Sequence, residues 1–305
     1  MTKKEPKDLG ASVRQRLLNR ARERGEDFQL VLINYAIERF LYRLSKSKHR
    51  DRLVLKGAML FSVWEEAPHR PTRDLDLLGS GDDAVPTVEG VVVDVLRSQV
   101  GSDGIEFDEA SIRGEEIREG QEHHGVRVRL EARLAGARIP VQVDVAFGDV
   151  VIPQPEIIEY PTLLDLPSPR IRAYSPAPVI AEKFQAIVAL GIANTRMKDF
   201  YDLWVLADRL EFDGAILREA IHATFERRKT PIPTEPPVAL TAEFHDDAAK
   251  QAQWGAFLRR TGLEAPALPE VAAASWPFLA PVAEAARLDV TFQRIWRPGG
   301  PWRSL

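Results

Sequence analysis

The sequence predicts an α+β fold in which a mixed-sheet half precedes a helical half. Three observations carry this: a strand, glycine, helix unit over residues 53–64; two alternating runs over 126–134 and 139–147; and a proline-rich stretch after which apolar residues recur at helical spacing. With 305 residues and 45% hydrophobic content, there is material for two domains or for a catalytic domain with a helical extension. The expected divisions are a basic N-terminal arm (1–26), a mixed α/β core (27–165) and a helical C-terminal domain (175–305).

Residues 1–26 are charged, with few apolar positions, and read as a mobile arm or a short helix. Asp27 is placed to cap a helix whose apolar stripe runs through Leu30, Ile33, Ile37, Phe40, Leu41 and Leu44, leaving Arg39 and Arg43 on the outer face. Leu53-Val54-Leu55 reads as a short buried strand that stops at Lys56-Gly57, where a helix through Leu60, Phe61 and Trp64 begins. Pro68 and Pro71 bracket a loop, after which Asp74-Leu75-Asp76-Leu77-Leu78 resumes extended structure before the Gly79-Ser80-Gly81 turn. Residues 86–99 fit both periods, but Val88, Val92, Val95 and Leu96 share a helical face, and a helix is expected.

The two alternating runs, joined by Ala135-Gly136-Ala137, predict an antiparallel hairpin. Period-2 projection puts Val141, Val143, Val145 and Phe147 on one face, and Gln142, Asp144 and Ala146 on the other. Pro153, Pro161, Pro167, Pro169 and Pro178 mark a link. Ser175 is placed to cap a helix through Ile180, Lys183, Phe184, Ile187 and Leu190, closed by Gly191. A second helix runs through Met197, Phe200, Leu203 and Leu210, and Asp213 caps a third through Leu217, Ile221 and Phe225. The remainder is expected to be helical, ending in an irregular tail from Trp296 to Trp302.

Composition narrows the function classes. The absence of cysteine removes disulfides, thiolate zinc sites and cysteine nucleophiles, and suits a reducing, cytoplasmic setting. The six histidines show no metal-ligand spacing, which disfavours a metallohydrolase, and His123-His124 reads as loop. The lysine-rich first ten residues have no signal-peptide core, and no run approaches the roughly 20 apolar residues of a span, so neither secretion nor membrane insertion is expected. A net charge of -4 argues against a general nucleic-acid coat. Residues 1–56 nevertheless hold 15 Lys and Arg against 7 Asp and Glu, enough for a basic face, or simply for a solvated amphipathic helix.

Asp74 and Asp76 lie two residues apart on a strand and so point the same way, roughly 7 Å apart. Like charges that close raise each other's pKa unless they share a cation. Mg²⁺ suits the pair because it takes one or two carboxylates and fills its other positions with water and phosphate oxygens; Mn²⁺ is a substitute. Alone, Asp-x-Asp also describes a solvated strand end. The preceding strand, Gly57 and helix start add weight, since unpaired N–H groups there favour phosphate and Lys56 contributes a full charge. Asp144 offers a third carboxylate, enough for two metals around one triphosphate, unless it is merely polar decoration of an exposed hairpin face. In the helical half, Lys198, Asp199 and Asp202 share roughly a 100° arc, and Lys183 on the preceding helix could join them at a cleft between the halves. An i,i+4 ion pair between Lys198 and Asp202 is the simpler explanation of that cluster.

Together the motifs Leu55-Lys56-Gly57-Ala58, Thr72-Arg73-Asp74-Leu75-Asp76, Val143-Asp144-Val145, Glu182-Lys183 and Lys198-Asp199-Phe200-Tyr201-Asp202-Leu203 are similar in order and spacing to the AbiEii/AbiGii toxin family. That family comprises MenT-like nucleotidyltransferases of the DNA polymerase β superfamily, and the likeness covers residues 50–230. The resemblance implies a polymerase-β-like core with a helical C-terminal domain. It also implies activity as the toxin of a toxin–antitoxin pair, in the setting of phage defence, with some relatives adding pyrimidine nucleotides to the 3′ end of tRNA. Carried over, Asp74 and Asp76 would be metal ligands, Asp144 the third carboxylate and Asp202 a further essential acid. Lys56, Gly57 and Lys183 would contact the triphosphate, with Thr72, Arg73, Lys198 and Asp199 in the matching nucleotide-binding motifs.

The sequence departs from the family's usual Gly-Ser or Gly-Gly at Gly57-Ala58, where no hydroxyl follows the glycine. Thr72 could supply one from the loop, and its phosphorylation would repel a triphosphate, giving an off-switch. On this reading an NTP is attacked by an RNA 3′-hydroxyl, with tRNA and an antitoxin as partners. Arg14 to Arg24, Arg43 to Arg52 and Arg227-Arg228-Lys229 are candidate contacts to the tRNA backbone. Two rivals remain open: an enzyme that AMPylates protein with the same site, and a non-catalytic nucleotide-binding regulator.

Overall fold

The structure is a computed structural model that describes residues 8–64, 71–118 and 124–304; the loop at Pro68 and the expected loop residue His123 lie outside them. It is a mixed α/β protein that divides into two compact units, residues 1–148 with 156–173, and residues 149–155 with 174–305.

In the first unit, α1 (Leu9–Arg24) takes the helical alternative for the basic segment, with an Asp8 side-chain cap and buried Val13, Leu17 and Ala21. Asp27 caps α2 (Phe28–Lys46) by accepting from the Leu30 N–H. Then follow β1 (Leu53–Lys56), the short α3 (Phe61–Trp64), β2 (Asp74–Gly79) and α4 (Val85–Leu96), the last where Val88, Val92 and Val95 share a buried face. The strands β3 (Glu106–Arg118), β4 (His124–Leu134), β5 (Ala137–Phe147), β6 (Glu156–Glu159) and β7 (Arg170–Ala173) complete the unit. The expected hairpin is β4–β5, antiparallel throughout.

The sheet runs β3-β4-β5-β2-β1-β7-β6. It is mixed: β2 lies parallel to β5 and β1 to β7, while the other neighbours are antiparallel. The core holds the odd-numbered face of β5 (Val141, Val143, Val145) with Leu75 and Leu77 of β2. Each such aliphatic side chain stabilises by about 1.5–3 kcal/mol when fully buried. The proline-rich stretch expected as a link supplies two strands of this sheet, β6 and β7.

Arg39 and Arg43 do not lie on an outer face. Both are buried, because α2 is covered on nearly all sides. Arg43 forms a two-point ion pair with Asp103 at 2.7 and 3.1 Å, and Arg39 pairs with Glu38 at 2.7 Å and donates to the Pro167 carbonyl. Glu38 also accepts from the Leu163 N–H at 2.6 Å. Burial pushes the Glu38 carboxyl up from 4.5 to about 7 despite the opposing charge of Arg39. A carboxyl raised on folding favours the fold fully below its unfolded pKa and loses that contribution as pH rises through its folded pKa. The melting temperature of wild type relative to Glu38→Gln is therefore expected to fall between pH 4.5 and about 7. Parallel melting profiles of the two proteins across that window would show that Glu38 does not titrate there.

The second unit contains α5 (Pro176–Leu190), α6 (Met197–Arg209), β8 (Phe212–Asp213), α7 (Gly214–Arg227), α8 (Ala242–His245), α9 (Ala248–Thr261), α10 (Leu268–Leu288), β9 (Arg294–Trp296) and β10 (Trp302–Ser304). Asp213 caps α7 as expected, accepting from the Ala215 and Ile216 N–H groups. Ser175 stands at the N-cap of α5, but its hydroxyl makes no cap bond; Pro176 at the first helical position starts the helix instead. The segment Pro176–Ala193 is long and apolar enough for a membrane span by composition, but half of it is buried within the protein, as in a core helix. The expected irregular tail is ordered: β8, β9 and β10 form a three-stranded sheet, and Trp296 and Trp302 pack on Phe278.

Candidate active site

Two parallel strands bring the predicted carboxylates together. On β2, Asp74 and Asp76 project to one face while Leu75 and Leu77 are buried on the other. The β2–β5 register sets Asp74 beside Gln142 and Asp76 beside Asp144. One carboxylate oxygen from each of Asp74, Asp76 and Asp144 lies within 4.8 Å of the others, and all three residues are half-buried. Three hard, anionic oxygens at that spacing match the donor chemistry of Mg²⁺ or Mn²⁺ and not that of a soft metal.

Gly57 makes room for this cluster. Its φ is +76°, and a Cβ there would stand 2.1 Å from Asp76 Oδ2, so any other residue would collide with the carboxylate. Lys56 is paired opposite Asp76 in the β1–β2 register and is half-buried. The helix expected after Gly57 is a 3₁₀ turn over Ala58–Leu60 followed by the single-turn α3. The turn begins with a bond from the Leu60 N–H to the Gly57 carbonyl.

The Thr72 hydroxyl faces the first aspartate of the cluster. Its Oγ1 donates to Asp74 Oδ1 at 2.6 Å, which orients that carboxylate, and the residue is buried, so a kinase would meet a covered hydroxyl. Arg73 is exposed.

Asp144 is more than a polar residue on an open face. Arg127, its direct partner across β4–β5, donates Nε to Oδ1 at 2.8 Å and Nη2 to Oδ2 at 2.7 Å, and Gln142 adds a bond to Oδ2 at 3.2 Å. Sequence reasoning missed Arg127. Continuing the hairpin register outward from the Ala135-Gly136 turn would have found it, since the same alternation that exposes Asp144 aligns Arg127 with it.

In the second unit, Lys183 Nζ of α5 donates to Asp199 Oδ1 at 2.9 Å and to Asp202 Oδ2 at 2.7 Å, both on α6. Arg196 approaches the other Asp199 oxygen at 2.8 Å. The two aspartates are almost wholly buried alongside Phe200 and Leu203, so the arc expected to be polar is internal, and Asp202 pairs with Lys183 while Lys198 lies exposed. Burial alone would raise the Asp199 pKa, but the adjacent Lys183 and Arg196 outweigh it and hold the carboxyl below its ordinary value. Arg228, expected as a surface contact, is largely buried, bonding to Asp149 and Gln185.

The sequence model of the family described as nucleotidyl transferase AbiEii toxin, type IV toxin–antitoxin system, matches residues 39–280. No curated protein matches the chain. Among solved structures, JHP933 from Helicobacter pylori is similar at 14% identity and a TM-score of 0.49, covering 87% of this chain and 94% of that one. An H. pylori protein provisionally described as a nucleotidyltransferase is similar at 14% identity and a TM-score of 0.48, covering 87% of this chain and 97% of that one.

Proposed function

Because this chain belongs to the AbiEii family of nucleotidyl transferase toxins, we propose that it transfers a nucleoside monophosphate from an NTP to the 3′ end of tRNA. Such transfer blocks aminoacylation and so translation in the cytoplasm, and a cognate antitoxin restrains it. The observation that carries the chemical part is the convergence of the Asp74, Asp76 and Asp144 oxygens within 4.8 Å, beside a position where only glycine fits.

A divalent cation held by Asp74, Asp76 and one oxygen of Asp144 would lower the pKa of the attacking hydroxyl and neutralise charge on the triphosphate. Around it, the chain's own groups position and balance charge. Thr72 fixes the rotamer of Asp74 through its 2.6 Å bond. Gly57 leaves the room that the Asp76 carboxylate fills. Lys56 offsets charge on the departing pyrophosphate, and Asp144 accepts the proton of the acceptor hydroxyl. The new O–P bond forms in line at the α-phosphorus as the bond to pyrophosphate breaks. An RNA acceptor is favoured by α1, whose exposed Arg14, Arg16, Arg22 and Arg24 stand on a helix with buried Val13, Leu17 and Ala21.

The reading is tested by incubating the protein with Mg²⁺, total tRNA and each α-³²P-labelled NTP in turn. Label on tRNA, absent with the Asp74→Ala, Asp76→Ala protein, is expected and identifies the base. Label on protein would replace the tRNA reading with AMPylation, and triphosphate binding without any transfer would leave a nucleotide-binding regulator.

A further inference from the structure

We propose that Arg127 is a triphosphate ligand stored on Asp144, which it exchanges for phosphate oxygens when a divalent cation takes over the carboxylate. This rests on the nucleotidyltransferase reading and adds a residue and a binding order to it.

The placement follows from strand register. Lys56 of β1, Asp76 of β2, Asp144 of β5, Arg127 of β4 and Glu115 of β3 are successive partners, so they form one row across five strands. Adjacent strands lie roughly 4.8 Å apart, which puts Arg127 next to the acidic cluster on the side opposite Lys56. The cluster therefore has a cation on each flank.

Arg127 engages both oxygens of Asp144 in a planar, two-point pair. Without a metal this arrangement stabilises three carboxylates that would otherwise repel one another. A divalent cation entering among Asp74, Asp76 and Asp144 does the same work with more charge, and it repels the guanidinium. The substrate brings the replacement partner, because a phosphate presents the same forked acceptor geometry as a carboxylate. The Arg127 side chain is 28% exposed, so it is open in part to solvent, unlike the buried Arg39 and Arg43.

The exchange makes opposite predictions for metal and for nucleotide. In nucleotide-free protein, Mn²⁺ binding followed by electron paramagnetic resonance should tighten roughly tenfold in Arg127→Met, because a cation competing for Asp144 has been removed. Binding of a non-hydrolysable NTP analogue with Mn²⁺ should weaken by about tenfold in the same protein. Arg127→Lys retains the charge without the fork, so its Mn²⁺ affinity should stay near wild type while its analogue affinity falls. Melting curves establish that each variant is folded, and the lysine variant decides the matter on nucleotide affinity if the methionine variant is not. Unchanged or weaker Mn²⁺ binding in Arg127→Met, or unchanged analogue affinity in a folded variant, overturns the exchange. Mn²⁺ binding that survives Asp76→Asn would instead remove the metal site itself, and the function with it.

Discussion

Gly57→Ala is expected to abolish nucleotidyl transfer as thoroughly as Asp76→Asn, a loss on the order of 10³-fold in kcat or about 4 kcal/mol of barrier. The two substitutions reach the same atom from opposite sides. Asparagine keeps the shape of Asp76 but removes its charge. Alanine keeps the charge but sets a methyl 2.1 Å from Oδ2, so the carboxylate must leave its place. Stability separates them. Asp76→Asn removes one of three like charges and should melt close to wild type. Gly57→Ala also forces a side chain to φ +76° and should cost about 1–3 kcal/mol. Steady-state kinetics with parallel thermal melts give both values; substantial activity in Gly57→Ala would mean that Asp76 is not held where the site needs it.

Lys183→Met should destabilise the protein by about 3–5 kcal/mol, because it takes away the ammonium that two buried carboxylates share. Both carboxylates give up their bond to the ammonium, 2.9 Å for Asp199 and 2.7 Å for Asp202, and Asp202 is wholly buried. Denaturant unfolding followed by circular dichroism reads the change. A Lys183→Met protein as stable as wild type but inactive in transfer would give Lys183 the phosphate-binding role that family resemblance implies. The double variant Lys183→Met, Asp202→Asn should recover part of the loss, since it removes a buried charge together with its partner.

Sheet geometry made the acidic cluster legible in the sequence. Period-2 alternation places Asp74 and Asp76 on one face, and the valines of β5 fix the face of Asp144. That the strand of Asp144 lies beside β2 was expected, but its parallel direction and its register could not be read, since nothing local specifies them. The strands β6 and β7 are four residues each among prolines, too short to show a period. In β3 the register shifts between Asp108 and Arg113, which breaks the alternation that would have revealed it. Arg39 and Arg43 were misplaced because a charged residue reads as exposed until its partner is known; Asp103 lies 60 residues from Arg43. Lys183 joins Asp199 and Asp202 as expected, but the same limit hid that it, rather than the i,i+4 neighbour Lys198, pairs with Asp202. Helical spacing showed that α6 carries acids on one arc, but not that another helix covers that arc.

Nucleotidyl transfer served by Asp74, Asp76 and Asp144 is read without any label as pyrophosphate release from each NTP in the presence of total cellular RNA and Mg²⁺. Release that requires RNA, stops on chelation and is lost in Asp76→Asn while that protein still melts like wild type is the predicted result. Release that persists in Asp76→Asn would take these carboxylates out of the chemistry, and a folded wild-type protein that binds nucleotide without releasing pyrophosphate would not be a nucleotidyltransferase acting on RNA.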